Sequence, residues 1–394
     1  MNNENVVKMG QEYVMNTYGR HNFALVRGLE SYVWDADGNK YLDMVAGIAV
    51  NNIGHCHPEV VKALREQAGT LIHCSNLYWI EPQVKLAKLL VKHSFAQKVF
   101  FCNSGAEANE AAIKLSRKYS FNKYGTQRAE IITALNSFHG RTMTTLSATG
   151  QEKYQKGFDP LTPGFKYVPY NDFPALKKAI TPETCAVMLE PLQGEGGINV
   201  PTEEYMQNVR KLCDEKDILL IYDEIQTGLG RTGKLFAYEH YGIVPDIMTL
   251  AKGLGGGVPI GACLGGLKTA DVFKPGEHAA TFGGNPLSTA AALAAVSVIV
   301  DEGLAEQAKQ KGIYLQEKIE AMKQNLPMIA AVRGMGLMIG IVLNSEAKPI
   351  QEKCLKKGML INCVQNNVLR LVPPLNITYK DLDKCLEILS EALI

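Results

Sequence analysis

The chain has 394 residues, 46% of them hydrophobic and 21% charged, with 41 basic against 40 acidic side chains. This is the composition of a globular protein with room for two domains, and its near-zero net charge gives no global field to attract nucleic acid or anionic membrane. The nine cysteines are odd in number and never fall in CxxC spacing, which argues against a zinc knuckle or a disulfide scaffold and fits a reducing cytosol.

Residues 1–20 carry neither a basic start followed by an apolar core nor the arginine-rich, acid-poor character of a transit peptide. The longest apolar run, Ala290 to Val300, is too short to span a bilayer. A soluble cytoplasmic protein is therefore expected.

Residues 1–45 are mixed, with Tyr32 to Asp43 reading as a β-hairpin turned by Asp37-Gly38. Gly54-His-Cys-His-Pro58 is a turn, and Pro58 suits the first turn of a helix reaching about Ala68. His55-Cys56-His57 has a superficial metal-site look. Cys56 is expected to point away from its neighbours in an extended segment, and no second ligand group stands nearby, so no metal is expected.

From about residue 98 the chain alternates short apolar runs with amphipathic stretches. Strands are expected at Lys98–Cys102, Glu130–Ala134, Cys185–Glu190, Leu219–Asp223, Ile247–Ala251 and Gly261–Gly265. Helices are expected at Ala106–Tyr119 and Glu203–Asp214, the latter capped by Thr202. Buried strands alternating with helices argue for an α/β fold with a mainly parallel sheet covered on both faces. After Pro286 two helices (Leu287–Val300, Ala305–Gln324) lead into short strands at 329–333, 337–343, 359–362 and 369–372. A helix near 350–357 lies among them, and a final helix opens on a Thr378-Tyr-Lys-Asp381 capping box. This texture suggests a smaller α+β domain. The division expected is an N-terminal segment 1–45, a large domain 46–285 and a small domain 286–394.

Three constellations carry chemistry. Asn103-Ser104-Gly105-Ala106-Glu107 follows a strand and opens a helix, so small residues would expose backbone N–H groups to a phosphate; an ordinary strand-to-helix turn has the same composition. Asp223 ends an apolar strand at the edge where ligands of parallel sheets bind. An acid there can hold a pyridine nitrogen protonated, or simply cap a loop. Lys252 ends the next apolar strand and is followed by Gly253-Leu-Gly-Gly-Gly257. Desolvation favours the neutral amine, a nucleophile able to form a Schiff base, although a strand-terminal lysine reaching solvent reads the same way. The glycine cluster lacks GxGxxG spacing, which leaves a dinucleotide site remote. Phosphate cradle, acid and lysine together point to pyridoxal 5′-phosphate.

The chain resembles, over essentially its whole length, the class III (ω-type) pyridoxal-phosphate aminotransferases of fold type I, in particular their acetylornithine-directed branch. The likeness rests on Tyr32-Val-Trp-Asp-Ala-Asp-Gly, Gly54-His-Cys-His-Pro, Asn103-Ser-Gly-Ala-Glu-Ala-Asn, Phe138-His-Gly-Arg141 and Glu190-Pro-Leu-Gln-Gly-Glu195-Gly-Gly. It continues through Asp223-Glu-Ile-Gln-Thr-Gly, Lys252-Gly, Thr281-Phe-Gly-Gly-Asn-Pro286 and Arg370-Leu-Val-Pro-Pro-Leu375, in the family's order.

The resemblance implies roles residue by residue. Lys252 and Asp223 would be catalytic, the lysine as Schiff-base and proton-shuttling amine, the aspartate on the pyridine nitrogen. Gly105 and Ala106 would hold the phosphate, with Ser104 in the same turn. Phe138 would stack on the ring, Gln226 would meet its 3′ oxygen, and Thr281 would reach the phosphate of the neighbouring subunit in a homodimer. Arg141 and Arg370 would read substrate carboxylates, and Glu195 would hold Arg370 in an ion pair until the dicarboxylate arrives. Glu190 has no direct role assigned. Ile48 would form an apolar pocket wall where ornithine δ-aminotransferases place a tyrosine, which suits an acylated amine better than a free ammonium. Ser75 to Trp79 would line the same pocket, with Trp79 departing from the family pattern. The implied reaction moves the δ-amino group of N2-acetylornithine to 2-oxoglutarate, with N-succinyl-diaminopimelate as a further donor. Other ω-aminotransferases, a same-fold aminomutase, an inert ligand-binding protein and a nicotinamide dehydrogenase are the competing readings.

Overall fold

The computed structural model describes residues 1–125 and 127–394. A helix at Asn3–Tyr13, unforeseen in the mixed N-terminal segment, precedes strands β1 (Leu25–Leu29), β2 (Tyr32–Asp35) and β3 (Lys40–Asp43). These pair antiparallel in sequence, and Gly38 at φ +89° turns the β2–β3 hairpin as its Asp-Gly pair requires. Helices Pro58–Ala68 and Glu81–Lys92 follow, the first starting on its proline. The second was not foreseen.

The central sheet contains β4 (Lys98–Cys102), β5 (Glu130–Ala134), β6 (Phe165–Val168), β7 (Thr184–Leu189), β8 (Leu219–Asp223), β9 (Ile247–Leu250) and β10 (Gly261–Gly265). Their spatial order is β4-β10-β9-β8-β7-β5-β6. Strands β6, β5, β7, β8 and β9 run parallel, whereas β10 is antiparallel to both β9 and β4. Residues of β7, β8, β9 and β10 are buried throughout, as strands covered on both faces must be. The reversal of β10 has a consequence for the site. Its first residue, Gly261, lies opposite Cys102, the last of β4, so the loop before β10 shares an edge with the ends of β8 and β9. A side chain at Gly261 would stand 2.3 Å from the Ser104 carbonyl oxygen, and only glycine permits this approach.

The C-terminal chain carries helices Pro286–Asp301 and Leu304–Lys323, then β11 (Ile329–Met335), β12 (Met338–Leu343), β13 (Met359–Leu360), β14 (Asn362–Val364) and β15 (Val368–Leu371). The single strand expected at 359–362 is two. β13 pairs with β3 in the N-terminal sheet, and β14 pairs with β15, whose other neighbour is β12. The chain changes partner at Ile361 because Met359 and Leu360 continue one sheet and Asn362 begins another. The last helix, Tyr379–Ala392, starts on Thr378, whose hydroxyl accepts from Asp381 N at 3.1 Å.

Between β3 and the helix at 58–68 lies an unusual turn. Ala46, Gly47, Ile48 and Ala49 have φ of 49°, 65°, 65° and 58°, four consecutive left-handed residues. Such a conformation costs roughly 1–2 kcal/mol for each residue bearing a Cβ. Asp43 supports it: Oδ1 accepts from Val45 N and Ala46 N, both at 2.9 Å, and Oδ2 meets His55 Nε2 at 2.7 Å. His55 is thus a partner of an aspartate, and Cys56 sits at φ +54° instead of in the extended segment expected. Among the described residues no His/Cys/Asp/Glu group has metal-site geometry, and no single helix is long and apolar enough to cross a membrane.

Candidate active site

Strands β4, β8 and β9 each deliver one polar residue to the same sheet edge. Where they end, a cleft of about 450 Å³ opens, lined by Ser104, Gly105, Ala106, Phe138, Arg141, Glu190, Glu195, Asp223, Gln226 and Lys252 among others. Ten of the residues singled out in the sequence therefore share one cavity wall, counting Glu190.

The helix Gly105–Tyr124 begins here. Ser104 is its N-cap, accepting from Glu107 N at 3.2 Å, and Glu107 reaches back to Asn103 N at 2.7 Å. The next amide, Ala108 N, already bonds to the Ser104 carbonyl. The first-turn amides of Gly105 and Ala106 have no intrahelical acceptor by geometry, and they face the cleft with the positive end of the helix behind them.

Asp223, 4% exposed, is held on three sides. Its Oδ2 accepts from Asn109 Nδ2 at 2.7 Å and meets His139 Nδ1 at 2.8 Å, while Oδ1 accepts from Ile225 N at 3.1 Å. Asn109 is itself fixed, donating to the His139 carbonyl at 2.7 Å and accepting from Thr249 Oγ1 at 2.8 Å. Asn109 and His139 were quoted within motifs but given no function. Both are fully buried polar residues on a carboxylate, and the spacing of Asn109 one turn inside a helix that starts at the cleft was the available signal.

Lys252 follows the end of β9 by two residues and has φ +42°, a strained left-handed setting. Burial pushes its amine down from 10.5 to about 8, against the opposing pull of Glu195, while Arg370 adds to the depression. Its Gly253 neighbour allows Asn52 to approach, since a Cβ there would lie 2.4 Å from Asn52 Nδ2. The residues 252–255 form one 3₁₀ turn only.

Behind Glu195 and Gln226, which line the cleft, stands Arg370, 0% exposed. Its Nη1 is ion-paired with Glu195 and donates to Gln226 Oε1 at 3.1 Å; its Nε donates to Asn362 Oδ1 at 3.2 Å; its Nη2 is buried with no partner. Burial raises the Glu195 carboxyl, but the Arg370 and Lys252 charges outweigh it and leave the group below its ordinary value. Glu190 goes the other way: burial pushes it up to about 7, opposed by His139 and by amides of Gly194 and Phe138, each at 3.2 Å.

Arg141 is exposed at the mouth. Its guanidinium lies 4.4 Å from the Phe138 ring centroid and 3.8 Å from that of Tyr154, and Nη1 donates to the Gly140 carbonyl at 3.1 Å. The rings orient the cation without neutralising it.

Two expected site residues lie elsewhere in the single chain. Ile48, 43% exposed, faces a second and larger groove beneath the N-terminal helix, because the left-handed turn directs Val50 to the cleft and Ile48 away from it. Thr281 is exposed and outside the cleft lining.

The geometry can hold an anion, an aromatic ring and two carboxylates around one amine of near-neutral basicity. The class-III aminotransferase model matches residues 13–393. The acetylornithine aminotransferase of Caldanaerobacter subterraneus subsp. tengcongensis is 58% identical, covering 97% of this chain and 98% of its own. Among solved structures, the ornithine aminotransferase of Toxoplasma gondii superposes with a TM-score of 0.96 at 35% identity, covering 100% of this chain and 95% of that one. The acetylornithine aminotransferase of Elizabethkingia anophelis gives 0.90 at 35% identity, with 100% and 99% covered. With its match spanning nearly the whole sequence and its lysine, acid and helix N-terminus on one cleft, this chain belongs to the class III aminotransferases, enzymes that work with pyridoxal 5′-phosphate.

Proposed function

We propose that the chain transfers the δ-amino group of N2-acetylornithine to 2-oxoglutarate, giving N-acetylglutamate 5-semialdehyde and glutamate. The observation that carries the reading is Arg370: a fully buried guanidinium with one unpaired arm, bonded to Glu195 and Gln226, which line the cleft that contains Lys252. Such an arm is costly unless a ligand carboxylate completes it, and a transaminase alternating between an ω-amine and a dicarboxylate needs that site in one half-reaction only. The curated relatives' names supply the donor.

The residues fit the cofactor. Gly105 and Ala106 would hold its phosphate with Ser104 beside them, Asp223 its ring nitrogen, Phe138 one ring face, and Gln226 its 3′ oxygen. Pyridoxal 5′-phosphate supplies a carbonyl for Schiff-base formation with an amine and a ring that takes up the electrons of the bond broken beside that amine. Everything else falls to the chain. Asp223, fixed by its three hydrogen-bond partners, would hold a proton on the ring nitrogen. The Lys252 amine, brought to about 8 by burial, takes and returns the proton at the amine-bearing carbon. Arg141 binds a carboxylate at the mouth. Glu195 occupies Arg370 while the ω-amine reacts, then releases it for the α-carboxylate of 2-oxoglutarate.

The homodimer belongs to this proposal. Leu77, Tyr78, Trp79 and Phe282 are 82%, 71%, 93% and 62% exposed, and Asn76 Nδ2 ties their two segments by donating to the Ala280 and Gly283 carbonyls at 3.0 and 2.8 Å. Large apolar side chains exposed together in this way suit a partner surface. Thr281 lies within it, suited to reach the neighbouring subunit's phosphate site, and Ile48 would form part of the pocket wall of the assembled dimer. The chain divides in this reading into a segment 1–45, a large domain 46–285 and a small domain 286–394, and works in the cytoplasm.

Free ornithine is the second reading, favoured by the close superposition on the Toxoplasma enzyme. N-succinyl-diaminopimelate presents the same acylated ω-amine chemistry as acetylornithine. Single-turnover rates with each donor separate them; faster reaction with ornithine than with its acetyl form would overturn the first choice.

A further inference from the structure

We infer that Asn362 is a positioning residue for the dicarboxylate substrate, holding the Arg370 guanidinium so that only its end-on Nη1/Nη2 edge can open. A planar guanidinium offers a carboxylate two bidentate edges, one between Nη1 and Nη2 and one between Nε and Nη2. Asn362 blocks the second. It is the first residue of β14 and the direct cross-strand partner of Arg370 on β15, and its Oδ1 accepts from Arg370 Nε at 3.2 Å. Glu195 and Gln226 share Nη1, and Nη2 is buried without a partner.

This arrangement makes the two acceptors unequal. Glu195 is half-buried on a loop, whereas Asn362 is fixed by its strand and by the chain's change of sheet at Ile361, whose carbonyl accepts from Gln351 Nε2 at 2.9 Å. When Glu195 withdraws, Nη1 keeps only Gln226 and opens beside the already unpartnered Nη2 while Nε stays bonded, so the arginine's plane survives the exchange. The backbone register thus determines the direction from which the carboxylate approaches. This rests on the reading above, in which Arg370 takes the α-carboxylate of 2-oxoglutarate.

The test uses the cofactor-loaded enzyme with Asn362→Ala and, as an isosteric variant that keeps an acceptor, Asn362→Asp. Two quantities are read: the two half-reactions separately by stopped-flow absorbance, and glutarate binding by calorimetry, glutarate being a dicarboxylate with no keto group to react. For Asn362→Ala the expected result is a three- to tenfold rise in KM for 2-oxoglutarate and in the glutarate Kd, on the order of one ordinary hydrogen bond lost from the arginine's support. The ω-amine half-reaction stays within about twofold. Asn362→Asp, whose charge keeps Nε bonded but partly neutralises the cation, is expected to weaken glutarate as well while giving a normal ω-amine half-reaction. Equal changes in both half-reactions, or unchanged glutarate affinity in both variants, would overturn the inference. Arg370→Lys distinguishes the levels: if it leaves glutarate binding intact, the reading of Arg370 fails and the inference with it; if it abolishes binding while both Asn362 variants bind normally, the inference alone fails.

Discussion

Glu195 closes one arm of the Arg370 guanidinium, while the adjacent Nη2 lies buried with no acceptor. A pair built that way is half-satisfied at rest and complete only with a second carboxylate present. Glu195→Gln removes the competing charge and is expected to lower the KM for 2-oxoglutarate about three- to tenfold. Arg370→Lys loses the planar fork and is expected to raise it about 10- to 100-fold, the range of one or two charge-assisted hydrogen bonds. Steady-state kinetics with 2-oxoglutarate as the varied substrate measures both; an unchanged KM in Arg370→Lys would remove the arginine from substrate binding.

Asp223→Asn keeps the size of the side chain but cannot hold a proton on a ring nitrogen. The expected loss in turnover is on the order of 10²–10³-fold, the usual scale for removing one preorganised electrostatic contact. Far-UV circular dichroism and the melting temperature check that the fold persists. Turnover within a factor of ten of the parent would show that the acid merely closes the Asn109–His139 network.

The Lys252 amine gives a stability prediction with a definite sign. Its value falls from 10.5 to about 8 in the fold, so between these pH values the unfolded chain binds more protons and stability rises with pH. The penalty is complete below about pH 8 and gone above about 10.5. Lys252→Met in the cofactor-free protein is expected to stabilise by roughly 1–3 kcal/mol at pH 7, with the gain shrinking as pH approaches 10.5. Urea unfolding of the two apoproteins at matched pH measures it, and a constant difference across that range would contradict the buried-amine assignment. The same variant is expected to lose borohydride-fixable cofactor.

Much of this site was readable because Lys252, Asp223 and the Ser104 turn each terminate an apolar run too short for a helix. The strand is then fixed by burial and the polar residue by where the run stops. Chain direction within a sheet leaves no such mark: Gly261–Gly265 has the composition of its parallel neighbours, and its reversal depends on pairing with β4. The break at Ile361 was equally hidden, because β13 and β14 differ in which distant strand they join and not in local propensity. Where Ile48 points was hidden for a different reason: four successive left-handed residues turn it toward a second groove of the single chain, and the composition of Ala46–Val50 does not announce that backbone. The Asn109–His139–Asp223 cluster needed three-dimensional proximity across more than a hundred residues of chain.

The left-handed turn depends on Asp43, 3% exposed and bonded to two amides and His55. Asp43→Ala is expected to destabilise by roughly 2–3 kcal/mol, since one buried and one partly buried amide lose their acceptor. The urea midpoint reports it; a change under about 0.5 kcal/mol would mean that the turn is held by its own backbone bonds.

Trp79, 93% exposed in one chain, is expected to be covered by a second copy. Trp79→Glu places a charge in that patch and is expected to shift sedimentation from dimer to monomer, with activity lost in proportion. A monomeric parent enzyme at micromolar concentration, or a dimeric variant with full activity, would contradict the shared site.

The most direct test of the proposed function is the amine half-reaction alone, followed by the visible absorbance of the bound cofactor under single-turnover conditions. N2-acetylornithine, free ornithine and 4-aminobutyrate are compared at equal concentration without 2-oxoglutarate. The expected result is fastest bleaching with N2-acetylornithine, by at least about tenfold in kcat/KM, about 1.4 kcal/mol of discrimination. Faster bleaching with free ornithine or 4-aminobutyrate would contradict it.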